Sequence, residues 1–156
     1  MKRAKQTPTM NERSVQMTKT TAILTARAIF GGAFLLAASM KFAGMEATAG
    51  YIASIGFPSP LLFAWLAGFF EVGLALAFFT GAFFTEAALL AVAYVLFLAL
   101  AFHGPGHWEA NPVEFGLFVD HFTFIAGLLF AAVHGPGNRF ALGWRLDWKA
   151  FGRGRA

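Results

Sequence analysis

Four apolar stretches, each about as long as a bilayer is thick and each carrying at least one ionisable side chain, leave this chain little choice of fold. They run from Ala22 to Gly44 with Arg27 and Lys41, from Leu61 to Thr80 with Glu71, from Phe83 to His103 with Glu86 and His103, and from Phe115 to His134 with Asp120 and His121. At ~1.5 Å per helical residue, about 20 residues cover the ~30 Å of hydrocarbon. The expected fold class is therefore all-α, an integral membrane four-helix bundle. A charge at bilayer depth costs at least ~2.5–3.5 kcal/mol on insertion scales, so each buried ionisable group points to a partner or a function.

Composition excludes the soluble alternative. Hydrophobic residues make up 58% of the chain and charged residues 13%, which is too little polar surface to cover a soluble domain of 156 residues. The length allows one bundle plus tails and no soluble catalytic domain, so any chemistry sits among the helices. The absence of cysteine excludes disulfides, thiolate metal ligands and iron–sulfur clusters, narrowing a redox role to quinone, haem or a partner protein.

The net charge of +4 is sorted by position. Lys2, Arg3, Lys5, Arg13 and Lys19 precede the first span, and Arg139, Arg145, Lys149, Arg153 and Arg155 follow the fourth. The connections from Met45 to Pro60 and from Gly104 to Glu114 hold neither Lys nor Arg. The positive-inside rule then places the N- and C-termini in the cytoplasm, as an even number of spans requires. The basic tails are read as orienting the chain and meeting anionic lipid, with no nucleic acid as partner. Residues 1–21 are expected to form a disordered basic cytoplasmic tail, 22–137 the membrane domain and 138–156 a basic cytoplasmic C-terminal tail. The first apolar run exceeds a signal-peptide h-region and three more spans follow it, so it is read as retained.

The connections carry their own signals. Met45, Ala49, Ile52 and Ile55 fall at helical spacing ahead of Pro58 and Pro60, predicting a short amphipathic segment on the outer surface. Thr80 to Phe83 is short enough to force a tight helical hairpin. Trp108 in the outer loop is expected to anchor at the interface. Gly135 and Pro136 end the fourth span.

Helical arithmetic groups the polar residues with small ones. Arg27, Gly31, Phe34, Ala38 and Lys41 share a face of span one; Ala64, Gly68, Glu71 and Ala75 share one of span two; Gly116, Asp120, Thr123, Gly127 and Ala131 share one of span four. Small residues mark close helix approach, so these faces are expected to point into the bundle. Side chains lean toward a helix's N-terminus, which brings Lys41, Glu71, His103, Asp120 and His121 together in the outer half and leaves Arg27 and Glu86 as a second pair near the cytoplasmic face.

Three readings of the outer cluster are open. It can be a polar network fixing helix register, with Lys41 neutralised by Glu71 or Asp120. It can be a pocket in which a quinone-like head group accepts hydrogen bonds from Lys41 and a histidine while a carboxylate handles the proton. By residue type it can also hold a metal on His103, His107, Glu109, Asp120 and His121; Gly104-Pro105-Gly106, however, breaks the helix between His103 and His107, and no metal site is assigned. No residue is singled out as catalytic.

The order of motifs resembles a known family. A small-residue span ending in lysine (GGAFLLAASMKFAG), a segment closing in YIASIGFPSP, the run AWLAGFFEVG, and a fourth span reading AGLLFAAVHGPG are together similar to the DoxX family of small bacterial membrane proteins, over about residues 22–147. The resemblance implies a four-helix protein of the bacterial cytoplasmic (inner) membrane and puts Lys41, Glu71 and His103 at motif positions. It further implies an accessory or quinone-linked component of a membrane redox system, with quinone as the implied cofactor or ligand, a membrane redox protein as the implied partner, and oligomers allowed. The alternatives are a scaffold or assembly factor for a partner protein and a small transporter, although no inverted repeat is visible.

Topology is directly testable because the chain lacks cysteine. Single cysteines at Lys5 and Lys149 are expected to resist a membrane-impermeant thiol reagent in intact cells, and one at Ala110 to react. Labelling of either tail position overturns the assignment.

Overall fold

Where water is absent, a backbone must satisfy its own N–H and C=O groups, and long apolar runs do so as helices. The computed structural model describes residues 9–146. It contains α1 (Met10–Ala43), α2 (Met45–Ser54), α3 (Pro60–Thr80), α4 (Phe84–His103), a 3-10 turn (Pro105–His107) and α5 (Val113–His134). Helices α1, α3, α4 and α5 are the four long apolar ones, and among the described residues there is no strand. The protein is a multi-pass membrane protein with an all-helical bundle.

The first helix starts earlier than its apolar stretch. Residues 10–21, expected as disordered tail, are helical, because Thr9 and Glu12 form a reciprocal cap: Glu12 N donates to Thr9 Oγ1 at 3.3 Å and Thr9 N donates to Glu12 Oε2 at 2.7 Å. The hydroxyls of Thr18, Thr20 and Thr21 donate back to carbonyls four residues earlier, so they do not compete for helix-forming groups. The 34 residues of α1 reach about 50 Å, well beyond the hydrocarbon. The expectations for residues 1–8 and 147–156 lie outside the described residues.

At the other end of α1 the chain turns at Gly44 into α2, the amphipathic segment read from the sequence. Ile52 is buried against Ala64 and Phe102, with Met45, Ala49, Ile55 and Phe57 around them. Gly56, at φ 77°, supplies the left-handed conformation that ends α2, and Pro60 opens α3 from its first turn. Thr80 to Phe83 makes the tight hairpin, and Gly81 there has φ 72° and no room for a Cβ, which would lie 2.8 Å from Ala141 Cβ. The segment after α5 closes over this turn: Phe83 N donates to Trp144 O at 2.7 Å and Leu142 N to Thr80 O at 3.0 Å.

Helix α1 lies closely along α3 and α4 along α5, while the two pairs stand farther apart. Close approach within the first pair is made by residues without bulk: Gly31, Ala38, Ala64, Gly68 and Ala75 are all buried. Between the pairs the space is filled by rings. Phe30 and Phe34 both meet Phe124 edge-on, and Phe84 meets Phe78 edge-on, while Phe78 is itself stacked on Phe34 within the first pair at 5.8 Å and 2°. Lipid tails are as apolar as leucine, so such dispersion contacts, not exclusion of water, hold the pairs together.

The inward faces predicted for α1 and α3 are buried, and that predicted for α5 is not. In α5 the buried residues are Ile125 and Leu128, while Gly116, Asp120 and Thr123 are exposed. Small residues of α5 serve instead to admit a ring: a Cβ on Gly127 would lie 3.1 Å from the Phe30 ring.

A Cβ on Gly68 would lie 3.0 Å from the Phe42 ring, whereas Gly73 has nothing within 4 Å. Gly68→Leu is therefore expected to lower stability by ~1–3 kcal/mol through overpacking, and Gly73→Leu to stay near the parent. Thermal melting in detergent compares them; equal midpoints show that the α1–α3 contact absorbs the added bulk.

Candidate functional site

Most of the ionisable residues in the spans find partners, each in a different way, and these contacts define two ends of the bundle. At the end bearing the α3–α4 hairpin, Arg27 is buried, and its guanidinium donates to five carbonyls: Nε to Phe78 O at 3.0 Å, Nη1 to Pro136 O at 3.2 Å and Arg139 O at 3.3 Å, Nη2 to Phe79 O and Phe140 O at 2.7 Å each. Phe78 and Phe79 are in the last turn of α3, whose carbonyls have no helical partner and carry the negative end of the helix dipole. The expected Arg27–Glu86 pair does not form. Glu86 Oε1 instead accepts from Leu146 N at 2.9 Å, because the fork of Arg27 is already filled by carbonyls. Both residues organise the hairpin and the segment after α5.

At the α2 end, Lys41 and Glu71 do meet. Lys41 Nζ donates to Glu71 Oε1 at 2.8 Å, and the same oxygen accepts from Tyr94 Oη at 2.8 Å. Glu71 is 1% exposed, and its Oε2 receives no hydrogen bond from any described protein group. The lysine side chain keeps about a fifth of its surface open, leaving two ammonium N–H bonds available. Glu71 thus joins α1, α3 and α4 at one carboxylate oxygen.

The two histidines form a second unit beside it. Their rings lie 4.8 Å apart at 42°. His103 Nδ1 is 2.6 Å from Glu114 Oε2, and His121 Nδ1 is 2.7 Å from Leu117 O. A carbonyl can only accept, so His121 carries its hydrogen on Nδ1 and presents Nε2 as an acceptor when neutral. Trp108, half-buried in the connection before α5, donates from Nε1 to His103 O at 2.8 Å and packs its ring on Phe115 and Phe118. Asp120 stands apart from this group, exposed and without a hydrogen bond to any described residue, because α5 turns its neighbour His121 inward.

Lys41, Tyr94, His103 and His121 border a cavity of about 630 Å³ roofed by α2. Its walls are largely carbon, including Ile52, Phe57, Leu66, Phe70, Phe97 and Phe102, and its polar contributors are Lys41, Thr48, Tyr51, Tyr94, His103 and His121. Partial burial, and then the Glu114 carboxylate, raises the Tyr51 hydroxyl above its ordinary range, so it stays protonated. A carbon-lined space of this size with a few convergent polar groups is the form of a small-molecule site.

Sequence reasoning missed Tyr94 and Glu114. Tyr94 is one of two tyrosines in the chain and the only hydroxyl in the middle of its span, a signal present in the composition but given no partner. Glu114 looked like the edge of a loop; Asn111 places it, with Oδ1 accepting from Val113 N and Nδ2 donating to Glu114 Oε1 at the start of α5.

The family model that matches the chain is that of DoxX, over residues 22–104. The matched stretch spans the membrane part of α1 through the end of α4, with Arg27, Lys41, Glu71, Tyr94 and His103, and stops before α5. No curated protein and no solved structure matches.

If Lys41 and Glu71 act as one unit, removing either leaves an unpaired buried group and removing both does not. Lys41→Met and Glu71→Gln are each expected to be destabilising, and the double variant less so than their sum, with a coupling above ~0.5 kcal/mol. A double-mutant cycle on detergent stability measures it; additive effects mean that the contact contributes nothing of its own.

Proposed function

The chain belongs to the DoxX family of membrane proteins, and from that premise we propose that it is an accessory, quinone-linked component of a membrane redox system which holds a lipid-like or quinone-like ligand in the cavity beneath α2. The observation that carries the reading is a donor-bearing floor inside an aromatic enclosure. Lys41 has ammonium N–H bonds to spare for a head-group carbonyl, and Glu71 and Tyr94 hold that ammonium in place from behind. The phenyl groups of Phe57, Phe70 and Phe97 offer faces and edges to a ring. His121, with Nε2 unprotonated in its neutral form, is suited to exchange a proton with the head group, and His103 is held beside it by Glu114. Asp120 is not among the residues of this cavity. In this reading the α2 end faces the outside, as the charge distribution between the connections and the tails supports, and the membrane is the bacterial cytoplasmic one.

The test is a titration of the full chain in nanodiscs with a fully substituted benzoquinone bearing a decyl tail, followed by tryptophan quenching against empty discs. Saturable binding is expected. The Lys41→Met/Glu71→Gln double variant, which keeps no unpaired charge, is expected to bind at least about tenfold more weakly, since a hydrogen bond to a charged group contributes ~1.5–3 kcal/mol and ~1.4 kcal/mol is tenfold. Quenching that stays linear and equal to that of empty discs overturns the proposal, and stable capture of one membrane protein in its place favours the scaffold reading.

A further inference from the structure

Behind the Lys41–Glu71–Tyr94 unit lies a second, smaller space that the reading above does not use. It is a crevice of about 290 Å³ between α1 and α5, bordered by Ala33, Phe34, Ala37, Glu71, Asp120 and Phe124, with Tyr94, Leu98 and His121 shared with the larger cavity. Glu71 borders this crevice and not the larger cavity. Helices α1 and α5 meet through the rings of Phe30, Phe34 and Phe124 and not by close backbone approach, so the crevice lies where the two helix pairs part. Asp120 is exposed at its edge, and Ala33 and Ala37 leave it unfilled.

Its chemistry is the reverse of the larger cavity's. Lys41, which borders the cavity, has donors to spare, whereas Glu71, which borders the crevice, has an acceptor to spare. Glu71 is 1% exposed, Oε1 is taken by Lys41 and Tyr94, and Oε2 receives no hydrogen bond from any described protein group. A buried carboxylate oxygen without a donor is costly, and a ligand that donates to it removes that cost. The charge of the carboxylate is already balanced by Lys41 at 2.8 Å, so a second cation would be repelled by the ammonium. Asp120 disfavours an anion. What remains is a neutral donor, and the rings of Phe34, Phe124 and Tyr94 favour an aromatic one.

We propose that the crevice between α1 and α5 is a binding site for a neutral aromatic alcohol dissolved in the bilayer, whose O–H donates to Glu71 Oε2. The proposal is independent of what occupies the larger cavity: a chain that binds no quinone can still bind a phenol here, and the converse.

The probes are 1-naphthol and 1-methoxynaphthalene, which share a ring system and differ in the ability to donate. With the full chain in nanodiscs near neutral pH, binding above that of empty discs is expected to be at least about tenfold tighter for the naphthol. Ala37→Phe, which fills the crevice, is expected to abolish that difference. Where Ala37→Phe fails to fold, Ala37→Cys gives a second measurement, because it is the sole thiol in a chain without cysteine: naphthol is expected to slow its alkylation by N-ethylmaleimide and the methoxy compound at the same concentration is not. Equal affinity for the two probes, naphthol binding unchanged in a folded Ala37→Phe, or equal protection of Ala37→Cys overturns the proposal.

Discussion

No water is available in the middle of a bilayer-embedded bundle to answer a charge, and the architecture follows from how this chain answers its own. Arg27 and Lys41 lie on one face of α1, and both of their answers come first from α3: the last carbonyls of that helix for Arg27, the Glu71 carboxylate for Lys41. Two polar clamps of opposite kind thus hold α1 and α3 in one register near the two ends of their contact, and glycines and alanines between the clamps let the helices close. Arg27 also gathers Pro136, Arg139 and Phe140, so the strand of chain after α5 is drawn beneath the α3–α4 hairpin by the same side chain. Guanidinium suits this position because it carries five donors in a planar fork and no proton it can lose; an ammonium could not answer five carbonyls.

The spaces in the molecule are consequences of the same arrangement. With α1 committed to α3 and α4 to α5, the gap between the pairs has to be filled by long side chains, and the phenylalanines do so near the Arg27 end. Toward α2 the filling is incomplete and leaves two spaces: a large aromatic cavity that Lys41 borders, and a smaller crevice that Glu71 borders. Two bonded partners therefore border different volumes, the ammonium the cavity and the carboxylate the crevice. Lys41 and Tyr94 both bind Oε1, so the carboxylate has one oxygen held and one without a described partner.

Much of this was legible in the residues. The number and class of the helices follow from runs of apolar residues matched to bilayer thickness, the hairpin from the brevity of Thr80 to Phe83, and α2 from the spacing of Met45, Ala49 and Ile52. The meeting of Lys41 with Glu71 was anticipated because each lies on a small-residue face and the lean of helical side chains carries them toward one depth. The same reasoning failed for Asp120. Its face of α5 is as rich in small residues as the others, but small residues allow close approach without requiring it, and α5 turns Ile125 and Leu128 inward instead. It failed again for Arg27 and Glu86, which share a depth and have opposite charge; carbonyls from two segments outcompeted the carboxylate, and helical periodicity says nothing about where helix ends and following coil will gather.

Periodicity, length and charge are local properties of the chain, and they determined what local physics can determine: four membrane helices, the end of the first at Gly44, the short segment ahead of Pro58, the hairpin after Thr80, and the inward faces of α1 and α3. The tertiary structure alone decided which helices pair closely, that Tyr94 shares an oxygen with Lys41, that His103 is braced by Glu114 and lies against His121, and that Glu71 has one oxygen held and one bare. Those facts depend on the rotation of each helix about its own axis and on the distance between helix pairs. In lipid these are set by the sum of many weak van der Waals contacts between side chains far apart in sequence, with no solvent preference to impose an inside and an outside.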